Sequence, residues 1–283
     1  MWTGLIRRFS TEDTQVGSEQ EHDGHQDKDG VNGVFTPAGR RVANASPFRP
    51  PPLEPLVLHG YRESTQSLAR LLTTTVAEEI RAMVPERLRI VDDWRLTYSL
   101  EQDGASLSTL YQKCRPYEGR RVGFVLVIKD QDGGAVGLMN VQTFGAYLSE
   151  HPRPSPSYFG NGECFLWRAS TLTSLPLPPS ADTTNLTRST TVTPRSLSGS
   201  GTSTPAESIR FKAFPYSGLN DCYINCETGF LSVGSGGGHY GLWLDNSLDV
   251  GHSSQCDTFG NEPLSDVGEK FRVWGVEIWV VGT

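Results

Sequence analysis

Two short stretches of this 283-residue chain hold the residues best suited by type and spacing to do chemistry. The first, Gly160-Asn161-Gly162-Glu163-Cys164, places a carboxylate beside a thiol at the start of an apolar run. The second, Gly236 to Gly241, contains His239 and satisfies the spacing of a phosphate-binding Gly-x-Gly-x-x-Gly loop. Glu or His can serve as a general base, and a thiolate can serve as a nucleophile.

Each of these candidates also has a structural interpretation. Successive strand residues point to opposite faces, so Glu163 and Cys164 are not expected to form a dyad. We interpret Glu163 as tying down the amides of its glycine loop and His239 as a buried hydrogen-bonding residue, with catalysis as the alternative for both. Leu242 to Asp245 is strand-like, whereas dinucleotide binding needs a helix there, so we predict a tight glycine turn.

The five cysteines lack the spacing of a disulfide framework. Cys222 and Cys226 flank Ile224 in a predicted strand, which indicates core packing, and Cys114 falls on the apolar face of a predicted helix. Cys256 lies in a predicted loop and is the best candidate for exposure, with thiol catalysis as the alternative. The six histidines show no zinc spacing. We therefore predict neither a metal nor a cofactor.

Composition excludes several classes of function. The net charge of −7 argues against a nucleic-acid-coating surface, and no apolar run is long enough to predict a membrane span. The first ten residues lack the apolar core of a secretory signal. Their arginines suit a mitochondrial presequence, but Glu12 and Asp13 follow at once, and presequences are poor in acids.

Two segments have too little apolar area to predict a fold. Residues 1–52 combine an acidic stretch with several prolines and are predicted to be a disordered extension. Residues 170–208 contain 19 Ser or Thr residues and five Pro, and we predict a flexible insertion within a domain of residues 53–283. Thr193-Pro194 and Thr204-Pro205 are candidate phosphorylation sites there.

The remaining pattern predicts an α+β, mainly β fold. A capping box at Thr75 and Glu78 begins one short helix that ends before Pro85, and Ser106 caps a second helix. Many short strands separated by Gly-rich turns, without βαβ alternation, indicate a sandwich of two antiparallel β-sheets flanked by a few short helices. The predicted strands are Leu96–Leu100, Phe124–Ile128, Phe144–Ser149, Glu163–Arg168, Ile209–Phe214, Cys222–Cys226, Phe230–Val233, Tyr240–Leu244 and Phe271–Val280, in the last of which Trp274, Val276, Ile278 and Val280 are expected to share one face.

Five blocks in this order resemble the TLDc domain family. They cover about residues 60 to 283 apart from the insertion, and they are Trp94–Leu107, Tyr158–Leu166, Phe211–Phe214, Gly236–Asp245 and Thr258–Leu264. The resemblance independently implies a β-sandwich. It also implies protection against oxidative damage and binding to the peripheral sector of the vacuolar-type proton-pumping ATPase, whose assembly such proteins regulate. We predict a monomeric domain, and one that is non-enzymatic because the sequence shows no set of nucleophile, base and orienting residue. An enzyme of peroxide or radical detoxification is the alternative.

The resemblance also implies a compartment and a set of motif residues. The expected compartment is the mitochondrion, with the cytoplasm or the vacuolar membrane surface as alternatives. Proposals of a site in the family have centred on its glutamate and glycine loop, which are Glu163 and Gly236–His239 here. The wider set of binding or structural motif residues is Gly160, Gly162, Glu163, Gly236, Gly237, Gly238, His239, Tyr240, Gly241, Asp245, Asn261 and Glu262.

Two departures from the family pattern stand out. The insertion at 170–208 is longer than usual. In addition, Ala135 to Gln142 adds residues between the Asp132-Gly133-Gly134 turn and Thr143. We interpret this addition as a retained intron in the gene model, with a longer hairpin loop as the alternative, and sequencing of the transcript would distinguish the two.

Overall fold

The computed structural model describes residues 53–131, 142–172, 191–192 and 208–282. The predicted extension at 1–52, the turn at Asp132 and most of both insertions lie outside these residues. Two predicted boundaries need correction. Gln142 is the buried first residue of a strand, and its side-chain amide donates to the Leu264 carbonyl at 2.7 Å. Ser170 to Leu172 and Ser208 likewise belong to strands and not to the insertion, and Thr191–Val192 form a short strand within it.

The described residues form twelve strands and four α-helices. The strands are β1 Val57–His59, β2 Asp93–Ser99, β3 Gly123–Asp130, β4 Gln142–Leu148, β5 Phe165–Leu172, β6 Thr191–Val192, β7 Ser208–Pro215, β8 Ile224–Cys226, β9 Phe230–Gly236, β10 His239–Asp245, β11 Val250–His252 and β12 Lys270–Val281. The helices are α1 Thr74–Met83, α2 Glu86–Arg89, α3 Leu100–Asp103 and α4 Leu107–Cys114, and short 3₁₀ turns cover Ser67–Ala69 and Arg115–Tyr117.

Two sheets share the last strand, β12. In the first sheet the order is β6-β7-β5-β4-β3-β12-β2-β1, and in the second it is β12-β11-β10-β9-β8. The pairings are antiparallel except for β1 with β2. Residues Lys270–Arg272 of β12 pair with β11, whereas Val273–Val281 pair with β3. One continuous strand therefore passes from one sheet into the other.

The core consists of two apolar layers on opposite faces of the first sheet. Leu126 and Ile128 of β3 face the layer between the sheets, whereas Val125 and Val127 face a second layer beneath α1. Burial on both faces explains why β3 is a continuous apolar run. The predicted mainly-β sandwich with a few short helices is confirmed.

The helix caps agree with the prediction in one case out of two. Ser106 accepts the Thr109 amide at 3.3 Å and caps α4, as predicted. The cap of α1 is Thr73, whose hydroxyl accepts the Val76 amide, so the capping box at Thr75 was wrong. The Glu78 carboxylate instead accepts the amide of Leu56, 22 residues earlier, at 2.7 Å.

Two further strand predictions were wrong, one at the end of β2 and the other at a β-bulge in β12. β2 ends at Ser99, and Leu100 begins α3. The register of β12 shifts between Val273 and Gly275, so Trp274 does not share the buried face of the later residues and remains exposed. At a β-bulge, an extra residue interrupts the alternation of side chains between the two faces of the sheet. The Lys129 ammonium covers the exposed Trp274 ring at 4.4 Å.

Candidate functional site

Glu163 lies just before β5 and forms a bidentate ion pair with Arg87 of α2. The two guanidinium nitrogens lie 2.6 and 2.7 Å from the carboxylate oxygens. Hydrogen bonding to this guanidinium lowers the pKa of Glu163 below its usual value. The expectation that Glu163 ties down glycine-loop amides was wrong. Its own amide donates to Asn161 Oδ1, while its side chain reaches a helix 76 residues earlier.

Glu163 and Cys164 point in different directions, but the predicted strand from Glu163 was wrong at its start, because β5 begins at Phe165 and both residues lie before it. Cys164 is buried between the sheets, and its sulfur accepts the Ser149 amide at 3.4 Å. Burial raises the pKa of the Cys164 thiol. The two neighbours therefore cannot act as a nucleophile and its base.

The loop before Glu163 owes its shape to its glycines. Gly160 has a φ of +93°, and a Cβ there would lie 3.0 Å from Ile224 Cδ1. Phe159 bridges to Ile224 of β8 through paired backbone hydrogen bonds. A Cβ at Gly162 would lie 2.9 Å from the Tyr216 ring. These close approaches position the loop against the second sheet.

The second candidate stretch is a β-hairpin. Gly237 and Gly238 link β9 to β10 with φ values of +62° and +84°. Two positive φ values form the two-residue turn that matches the twist of a hairpin. A Cβ on Gly236 would lie 2.5 Å from Asp257. The predicted tight turn is confirmed, and strand β10 follows it.

His239 begins β10 beside this turn and its side chain is exposed. The prediction of a buried histidine was therefore wrong, because the hairpin tip projects from the sheet. Tyr240, the next residue, lies with its ring 6.2 Å from that of Phe230, and the Phe230 ring also stacks on Trp243. Within the described residues, the hydrogen bonds and ion pairs of Glu163 run to Arg87 and Asn161 and not to His239.

A loop at residues 253–264 is hydrogen-bonded to the base of the hairpin, at strand β9. Thr258 Oγ1 accepts the Ser235 amide at 2.9 Å and donates to the Ser235 carbonyl at 2.7 Å. Buried Asn261 donates to the Ser254 carbonyl at 2.8 Å and accepts the Cys256 amide. The motif residue Asn261 thus fixes the loop that holds the glycine turn.

Two acidic motif residues hold loops in place. Asp245 Oδ1 accepts the amides of Asp249 and Val250, which closes the turn after β10. Glu262 pairs with Lys212 at 2.7 Å and with Arg168 at 3.3 Å, so it links the 253–264 loop to β5 and β7.

Two thiols, Cys256 and Cys222, differ from their predicted exposures. Cys256 is buried against Asn261, and burial raises its pKa, so the prediction of exposure was wrong. Cys222 lies before β8 and is only partly buried. Cys114 and Cys226 are fully buried, as predicted. The sequence did not indicate that the 253–264 loop folds inward.

Three charged side chains that the sequence did not mark as buried lie in the core: Arg81, Asp130 and Glu277. Glu277 lies in β12, is 1% exposed, and accepts hydrogen bonds from Tyr61 and from the Leu71 and Leu72 amides. Burial raises its pKa above the usual value. The available signal was a single carboxylate inside the apolar run Val276–Val281.

Neither a metal-ligand cluster nor a membrane-spanning helix occurs among the described residues. His, Cys, Asp and Glu side chains of these ranges do not come together in groups of three, as a metal site would need. In the same ranges, we find no helix with the length and hydropathy needed to span a bilayer.

The sandwich, the glycine hairpin and the Glu163 loop define a TLDc domain. The family model for that domain matches residues 65–197 and 202–282, and the chain belongs to this family. Oxidation resistance protein 1 of Gibberella zeae is 65% identical over all of this chain and 89% of that protein. The Neurospora crassa protein of the same name is 49% identical, covering all of this chain and 86% of its own length. The one from Saccharomyces cerevisiae is 41% identical over 81% of this chain.

Proposed function

We propose that this chain supports resistance to oxidative damage, the role for which its relatives are named, as a non-enzymatic binding domain. Its partner in this proposal is the peripheral sector of the vacuolar-type proton-pumping ATPase, whose assembly it regulates. The partner comes from the family resemblance. The contacts of the motif residues support a scaffold role for those residues.

The ion pair of Glu163 with Arg87 carries this proposal. A general base works best when its pKa lies near the working pH. Arg87 instead lowers the pKa of Glu163, so the carboxylate is already ionised near neutrality and is held by two donors. This geometry suits a clamp between α2 and the 160–163 loop.

The glycine hairpin supports the same interpretation. Its turn needs glycine for backbone conformation, and the 253–264 loop holds it through Thr258. Rigid scaffolds of this kind present neighbouring loops for binding. We therefore place the recognition of a partner on neighbouring surface loops and not on the motif residues that hold the scaffold together.

The proposal also concerns the compartment. We propose the mitochondrion as the site of protection, with the cytoplasm or the vacuolar membrane surface as the alternative. Fractionation of cells that express the tagged full chain decides between them. Exclusive recovery in the mitochondrial matrix would contradict the ATPase as the partner, whereas a pool in the cytoplasm or at the vacuolar membrane agrees with it.

The direct test combines survival and turnover. The full chain is expressed in a fungal strain that lacks its own relative, and survival in peroxide is measured beside peroxide consumption by the purified protein. We expect rescue without turnover. Turnover that Glu163→Gln abolishes at an unchanged melting temperature contradicts the proposal and supports the enzyme.

A further inference from the structure

A half-open groove lies away from the motif residues, between the end of α4 and the loop at residues 149–154. Two adjoining cavities of about 320 and 400 Å³ form it, and they share Glu118, His151 and Arg153. Tyr111 and Pro154 contribute apolar surface to the first cavity. Volumes of this size suit a few side chains of a ligand.

Arg153 is held in place at the centre of the groove. Its guanidinium donates to Glu150 at 2.8 Å and to the His151 carbonyl at 3.3 Å. The same group lies 4.4 Å above the centre of the Phe159 ring. A guanidinium fixed in this way loses little freedom when it binds a carboxylate.

A second cation faces the first cavity. Arg115 follows α4 directly, and its side chain forms none of the ion pairs found among residues 53–131, 142–172 and 208–282. Beyond it, Arg120 of the second cavity lies over the Tyr117 ring at 5.8 Å. Arg115 is therefore available to an external anion.

The charges of the whole groove favour a ligand with one negative charge. Arg115, Arg120 and Arg153 provide three positive charges, and Glu118 and Glu150 offset two of them. Burial and the Arg153 guanidinium lower the pKa of His151, so the ring adds no charge near neutrality. A phosphate group would bring about two negative charges close to Glu118, which repels them, whereas one carboxylate balances the groove.

We propose that this groove binds a peptide segment of another protein that presents an Asp or Glu carboxylate beside an apolar side chain. The carboxylate pairs with Arg115 and Arg153. The apolar side chain packs on Tyr111 and Pro154. This assignment is independent of the ATPase as a partner.

Peptide titration of the isotopically labelled full chain, followed by NMR, tests the proposal. The probe is acetyl-Ser-Leu-Glu-Leu-Ser-amide, and the matched peptide carries Gln in place of Glu. We expect chemical-shift changes confined to residues of the groove. The wild type should bind the Gln peptide about tenfold more weakly than the Glu peptide, and Arg115→Ala should bind the Glu peptide about tenfold more weakly than the wild type does. Arg115→Glu should instead favour a Lys peptide, which a purely structural role would not produce.

Lys113→Ala is the matched control, because it removes one positive charge from α4 outside the groove, where Lys113 pairs with Asp103. This variant should bind like the wild type. Equal binding of the Glu and Gln peptides, tighter binding of inorganic phosphate, or no groove shifts at millimolar peptide each overturn the proposal. Thermal unfolding confirms that each variant is folded, and Arg153→Lys serves as a second variant, expected to weaken the Glu peptide.

Discussion

The phenol of Tyr61 donates to the carboxylate of Glu277 at 2.9 Å, although the two residues lie 216 positions apart. The same carboxylate accepts the Leu71 amide at 3.0 Å and the Trp279 indole at 2.9 Å. One buried acid therefore joins the segment before α1 to the strand that both sheets share. Burial raises the pKa values of both Tyr61 and Glu277.

Glu277→Ala should destabilise the domain severely. The change leaves four donors without an acceptor in the core, and each unpaired buried group costs about 1–3 kcal/mol. We expect a loss of at least about 3 kcal/mol in the free energy of unfolding, measured by urea titration. Glu269→Ala, at an exposed carboxylate, is the control and should change little. A loss below about 1 kcal/mol for Glu277→Ala would rule out this role.

Glu277 should also give the stability a defined pH dependence. Its pKa is raised above 4.5, so the folded state binds this proton more tightly than the unfolded chain does. The free energy of unfolding of the wild type, minus that of Glu277→Gln, should therefore fall as pH rises from 4.5 through the pKa of Glu277 in the folded state. Above that pKa the difference should level off. Urea midpoints of both proteins across this range measure the difference. A difference that rises with pH contradicts a raised pKa.

Glu163→Gln should cost little stability. The Arg87 and Glu163 side chains are 45% and 33% exposed, and solvent screens such pairs to about 1 kcal/mol or less. Because the pKa of Glu163 is lowered, this contribution is present above its usual pKa of 4.5 and is lost as pH falls through the folded value.

The Glu163→Gln variant should rescue the survival of the deletion strain in peroxide almost as well as the wild type, because its stability is nearly unchanged. His239→Ala, at an exposed side chain, serves as a comparison and should rescue equally. Loss of rescue by folded Glu163→Gln alone would favour a catalytic carboxylate.

Gly237→Ala should weaken the hairpin. Its φ of +62° places an alanine in the left-handed region, at a cost of about 1–2 kcal/mol. Gly229→Ala is the matched control, because a Cβ there meets nothing within 4 Å. Differential scanning calorimetry should show a lower melting temperature for Gly237→Ala only. Equal shifts in both variants would contradict the turn assignment.

Thiol reagents should react first with Cys222. It is partly exposed, whereas the other four thiols are buried. Burial raises the pKa values of all five thiols, so access to the reagent decides the order. Mass spectrometry after timed alkylation of the native protein gives the order of reaction. Early modification of Cys256 would show that the 253–264 loop opens.

The sequence predicts those features that local pattern encodes. The apolar run of β3 and the glycine turn at Gly237 follow from burial and backbone preference alone. Trp274 was misplaced because a bulge depends on the register with a neighbouring strand. The Arg87–Glu163 pair and the inward fold of Cys256 depend on long-range packing, which composition and spacing do not reveal.

The most direct test of the central claim is titration of the purified full chain against the detached peripheral sector of the vacuolar-type ATPase, with holoenzyme assembly followed in parallel. We expect binding at micromolar concentration or tighter, with a shift in assembly. Folded Glu163→Gln and His239→Ala variants should bind like the wild type. Absence of binding at high concentration, with protection in cells retained, would rule out regulation of the ATPase as the basis of protection.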